Sequence, residues 1–171
     1  MRKTVAFLAI LAAFLIDAFV FTETGAVRSF MPEALTALFV SFGVLTGVAP
    51  MALAAVIVGA IEDIMFNGIL GISSGTLFLA VVVGALFYNR FYADNAIIPS
   101  LIAAALMFVK EHIVLVVVLI AGGRVTDYFS ILIKHILPAS VLTGVLCLFI
   151  HFVLKKTLFT AEWRRDIDHL R

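Results

Sequence analysis

Apolar residues follow one another along this chain in blocks long enough to cross a bilayer, separated by short polar or glycine-rich joints. A helix rises about 1.5 Å per residue, so roughly 20 apolar residues span the hydrocarbon core. The pattern predicts six helical segments, at residues 4–21, 33–47, 51–66, 76–88, 96–121 and 130–154, four of them clear spans and two shorter. They are expected to pack as one transmembrane domain over residues 1–171, with 155–171 as a short cytoplasmic or interfacial tail.

Composition fixes the solvent. Of 171 residues, 64% are hydrophobic and 13% charged, and mean hydropathy is +1.20. So few polar residues cannot clothe a water-soluble core, and the expected fold class is all-α integral membrane, a single six-span transmembrane helical bundle. The first segment opens Met-Arg-Lys like a secretory leader, yet its apolar run exceeds an h-region and no small-x-small cleavage site follows. It is read as a retained first span. The lone Cys147 lies in the last segment, where it serves core packing rather than an intramolecular disulfide or a cysteine metal cluster. A net charge of +1 without basic runs interleaved with aromatics excludes a nucleic-acid surface.

Basic residues set the orientation. With six crossings, Arg2, Lys3, Arg90, Lys155, Lys156, Arg164, Arg165 and Arg171 fall on one side, and Arg28 and Arg124 on the other. The excess predicts cytoplasmic termini. In the tail, Trp163, Ile167 and Leu170 form a stripe that fits an interfacial helix, while a solvated tail with one tryptophan anchor fits equally.

Small residues recur at helical spacing. Gly43/Gly47, Ala55/Gly59 and Ala80/Gly84 let backbones approach closely, as ordinary bundle packing or, at Gly43/Gly47, as a groove for a single-pass partner. Phe7, Phe14 and Phe21 repeat every seven residues, a ridge suited to lipid or to a docked helix.

The most telling residues are charged. Glu62 and Asp63 stand between Gly59 and Gly71 in an apolar stretch, and a carboxylate at membrane depth costs about 2.5–3.5 kcal/mol on insertion scales. Counted from the cytoplasmic end, Asp17 lies roughly 20 Å up, Asp63 roughly 18 Å, and Lys110 with Glu111 roughly 21 Å, while Lys134 and His135 descend to a similar level from outside. The expectation is one polar layer of Asp17, Glu62, Asp63, Lys110, Glu111, Lys134 and His135, with the last two and Lys110 as counter-ions. Neighbouring helical residues point about 100° apart, so Lys110, Glu111 and His112 cannot all serve one another and pairs between helices follow. Such a layer either fixes helix register or forms a pocket or polar contact surface.

Catalytic signatures are lacking. Gly71-Ile72-Ser73-Ser74-Gly75 fits G-x-S-x-G, but that elbow needs a preceding strand and an oriented histidine and acid. Gly68, Gly71 and Gly75 suit a turn between the third and fourth segments. His112, His135 and His151 are too dispersed for a metal site, and no glycine loop precedes a phosphate-binding lysine. No enzyme, metal or cofactor is expected.

The stretch Val58-Gly59-Ala60-Ile61-Glu62-Asp63, followed by Gly68-Ile69-Leu70-Gly71, resembles the G-x-x-x-D…L-G signature of the MreD family, rod shape-determining membrane proteins. Chain length, six apolar segments, Glu111 in the fifth and a short basic tail are similar too. The resemblance implies a non-enzymatic subunit of the bacterial cell-elongation machinery in the cytoplasmic membrane. It would contact membrane lipid and MreC, and through MreC the filament protein MreB and the peptidoglycan synthases RodA and penicillin-binding protein 2, as a scaffold or regulator of wall synthesis. Gly59, Asp63 and Gly71 take the signature positions, without a reaction. The spacing predicts that Asp63 holds the broken end of the third segment by accepting hydrogen bonds from the glycine-rich turn. The alternative is a substrate-binding S-component of an energy-coupling-factor vitamin transporter, also a small six-span protein, to whose fold the MreD family looks distantly related. Mutually neutralising charges, phenylalanines spread on apolar faces and short outer connections favour the scaffold.

Overall fold

The computed structural model describes residues 3–22, 32–47, 51–67, 70–88, 95–122 and 127–168, with side-chain surroundings for 6–19, 32–47, 51–66, 70–88, 95–122 and 127–157. The orienting charges other than Lys155 and Lys156, the side chain of Phe21, Gly68, and the side chains of Trp163, Ile167 and Leu170 lie outside that set.

Apolar blocks become helices, in the order α1 (Lys3–Thr22), α2 (Ala34–Thr46), α3 (Ala52–Glu62) running into a π-helical turn (Asp63–Asn67), α4 (Ile72–Leu86), α5 (Ile97–Ile120), then a rod of α6 (Tyr128–Ile131), a second π turn (Leu132–Ile136) and α7 (Leu137–Asp168). No strand occurs among the described residues, and the fold is all-α. Two of these elements, Ile97–Ile120 and Tyr128–Thr157, are long and apolar enough to cross a membrane.

α2 is the axis. Every residue from Ala34 to Leu45 is buried, as befits a helix apolar on all sides, and it packs against α1, α4, α5 and α7. At 13 residues it is about 20 Å long, shorter than a hydrocarbon core about 30 Å thick. Its C-terminus closes on Gly47 at φ +79°, whose amide donates to the Gly43 carbonyl.

Glycines set the helix spacing. A Cβ on Gly43 would meet the Val81 carbonyl oxygen at 2.5 Å, and one on Gly84 the Val40 oxygen at 2.6 Å, so α2 and α4 meet backbone to backbone in a near-reciprocal contact. α4 therefore occupies the groove at Gly43 that the sequence offered to a partner. Gly59 meets the Ser74 backbone in the same way, bringing α3 onto α4.

The second π turn has a covalent cause. Pro138 lacks an N–H and its ring crowds the carbonyl four residues earlier, so the preceding turn widens. Ser140 Oγ then donates to the Ile136 carbonyl at 2.6 Å. In α1, Phe7 faces outward whereas Phe14 packs on Phe66, ring centroids 6.0 Å apart, so the expected phenylalanine ridge is divided between exterior and bundle.

Candidate functional site: a buried polar cluster

Short helices in apolar surroundings need partners for their first N–H groups. Asp17, late in α1, supplies them to α2: its Oδ1 accepts from the Ala34 amide and its Oδ2 from the Leu35 amide, both at 2.8 Å. Asp63, at the start of the first π turn, does the same for α4. Its Oδ2 accepts from the amides of Gly71 at 2.8 Å and Ser74 at 3.2 Å, and its Oδ1 from Ser73 at 2.8 Å. Gly71 makes this possible by adopting φ +109°, a region open to glycine alone at low cost. The G-x-S-x-G match is thus the capped start of a helix that follows another helix, not a strand-to-helix elbow.

Around the first turn of α2 lies the charged centre. Glu33 occupies the N-cap position; its amide donates to Thr143 Oγ1 of α7 at 3.0 Å, and Thr143 passes the chain on to the Ala139 carbonyl at 2.8 Å. Glu33 Oε2 accepts from Thr36 Oγ1 at 2.8 Å, and Glu33 Oε1 accepts from Lys110 Nζ of α5 in a close ion pair. Lys110 Nζ also faces Glu62 Oε1, at the end of α3, at 3.5 Å. Asp17, Glu33, Glu62 and Lys110 are at most 6% exposed. Further along α2, Cys147 of α7 lies 3.5 Å from Ser41 Oγ and from the Ala37 carbonyl, a second polar tie between these helices.

The structure gathers Asp17, Glu62 and Lys110 as one cluster and sets Asp63 beside it, committed to α4. Glu111 is half-buried and interacts electrostatically with Lys110 and Glu33. Lys134 and His135 are exposed, and of their π turn only Ile136 is buried. Neither is ion-paired with Asp17, Glu33 or Glu62 among the described residues, because the widened turn before Pro138 shifts their register, although His135 is in electrostatic range of Glu111. Of the glycines, Gly43 and Gly59 carry interhelical contacts, while Gly47 and Gly71 shape helix ends.

Glu33 escaped the sequence reading. It opens the predicted second segment and is absent from the expected polar layer, although an acid directly after Pro32 and ahead of an apolar run is itself a helix-start signal.

The chain matches no protein-family model, no curated protein and no solved structure.

Chemically, the cluster is a neutralising and capping device. Two acids are held by backbone amides, and two share one ammonium.

Proposed function

We propose that this chain is a non-enzymatic scaffold of the bacterial elongation machinery. In this reading it crosses the cytoplasmic membrane six times with both termini inside. It binds MreC, joins MreB, RodA and penicillin-binding protein 2 in the wider complex, and helps to control peptidoglycan synthesis and rod shape.

The observation that carries this reading is that the buried charged side chains other than Glu62 are committed to the fold. Asp17 and Asp63 are committed to helix starts, and Lys110 lies between Glu33 and Glu62. A site that works on a bound substrate needs polar groups left over for it; here the charges chiefly position helices.

Six crossings find support in the surface and in the helix ends. Large apolar side chains face outward on several helices, among them Phe19, Leu53, Leu86, Ile120, Phe129 and Phe149, a surface suited to lipid. Only 17% of the most apolar stretch of α5 is buried, which separates it from the core helix of a soluble protein. Aspartate caps on α2 and α4 are what helices ending inside hydrocarbon require, because each unsatisfied backbone group there costs several kcal/mol.

Glu62 Oε2, buried with no hydrogen-bond partner among the described residues, favours the second reading, a substrate-binding transporter subunit. Depletion of the protein in the bacterium that encodes it separates the two. Rod-shaped cells turning round supports the scaffold; cells that stay rods but lose uptake of a vitamin supports the transporter subunit.

A further inference from the structure

Charge in the cluster does not balance. Among the described residues, Asp17, Glu33 and Glu62 bring three carboxylates into a space served by the single ammonium of Lys110. Asp17 is offset by two amides and the positive end of the α2 dipole, equivalent to roughly half a charge. Glu33 takes the close ion pair with Lys110 and the Thr36 hydroxyl.

Glu62 is left over. It is completely buried, its Oε1 lies 3.5 Å from Lys110 Nζ, and its Oε2 has no hydrogen-bond partner among the described residues. Its carboxyl group is also within hydrogen-bonding reach of the Glu33 carboxyl. Two ionised carboxylates offer each other only acceptors and repel at that range; the contact turns attractive when one of them carries a hydrogen.

We propose that the cluster is a proton-binding site, holding one exchangeable proton on Glu62 with its hydrogen turned toward Glu33, while Lys110 stays charged between them. The bound proton gives Glu62 a donor and leaves one carboxylate, Glu33, for the one ammonium. The groups facing Glu62 are Asp17 from α1, Glu33 from α2 and Lys110 from α5, with Glu111 beyond Lys110 on the same helix. Asp63, next along the chain, is committed to the amides of α4, and α4 itself carries no titratable side chain. Loss of the proton places a second carboxylate against Glu33 and loosens the end of α3 from the start of α2, so occupancy of this site couples α2, α3 and α5. The inference is independent of which partner the protein serves.

The test is infrared spectroscopy of the full chain in lipid nanodiscs with isotope-labelled glutamate, reading the carbonyl stretch of a protonated side-chain acid at neutral pH. The expected result is one protonated glutamate in the wild type, absent in Glu62→Gln, retained in Glu111→Gln, and unchanged when sodium replaces potassium. Glu62→Gln mimics the protonated acid and is expected to keep the wild-type unfolding temperature at neutral pH. Absence of the band in the wild type, its persistence in Glu62→Gln, its loss in sodium, or failure of Glu62→Gln to fold overturns the proposal.

Discussion

Lys110, deep in α5, directs its ammonium onto Glu33, the residue that opens α2, across 77 positions of sequence. The pair anchors the axial helix to one of the two long rods, and it is buried on both sides. Removing one partner strands the other charge in apolar surroundings. Lys110→Met is therefore expected to destabilise the protein by about 3–5 kcal/mol. Adding Glu33→Gln to Lys110→Met recovers part of that loss. Denaturant unfolding in mild detergent of the two single variants and the double variant measures the coupling, and strictly additive losses contradict it.

Asp63 and Asp17 act through acceptor oxygens aimed at amides, so an isosteric amide retains part of the function and a hydrocarbon none. Asp63→Asn is expected to preserve much of the fold, while Asp63→Leu lowers the yield of folded protein. Asp17→Ala costs about 1–2 kcal/mol, the range of a lost helix cap. Thermal unfolding of purified variants checks this, and equal tolerance of Asn and Leu at position 63 removes the capping role.

Gly43 and Gly84 are set by contact with a backbone that cannot move aside. Gly43→Ala and Gly84→Ala each place a methyl group against a carbonyl oxygen of the facing helix, with an expected loss of about 1–3 kcal/mol. Gly75, inside α4, has nothing within 4 Å of its would-be Cβ. Gly75→Ala is expected to be neutral or to stabilise by up to about 1 kcal/mol through helix propensity. The same unfolding assay ranks the three, and an equal response at all three positions contradicts the close α2–α4 contact.

Lys134 and His135 stand apart from the cluster, so Lys134→Ala and His135→Ala are expected to change stability by no more than about 0.5 kcal/mol. A loss comparable to that of Lys110→Met assigns them to the buried network after all.

Blocks of apolar sequence marked the helices well where nothing interrupts them: segments expected at 33–47 and 96–121 correspond to Ala34–Thr46 and Ile97–Ile120. Errors came where tertiary partners overrule local pattern. Ser73, Ser74 and Gly75 looked like a connection, yet amides held by Asp63 let α4 begin at Ile72. The last helix continues to Asp168, so the tail after residue 154 is helical as far as it is described, in keeping with one of its two expected forms. Asp17, Glu62 and Lys110 were legible as misplaced charges, but the residue that joins them was not. Glu33 sits at the edge of its segment by sequence and inside the bundle in three dimensions, because the start of α2 is packed among other helices. Depth counted along single helices cannot reveal which helix start is buried by its neighbours, nor the register change that turns Lys134 and His135 outward.

The scaffold reading is tested most directly by what the protein holds in its own membrane. Tagged protein is purified from native membranes in mild detergent, and the copurifying proteins are identified by mass spectrometry. The account predicts recovery of MreC, accompanied by the wall synthases; recovery of a transporter ATPase pair with its coupling membrane protein, and no MreC, contradicts it.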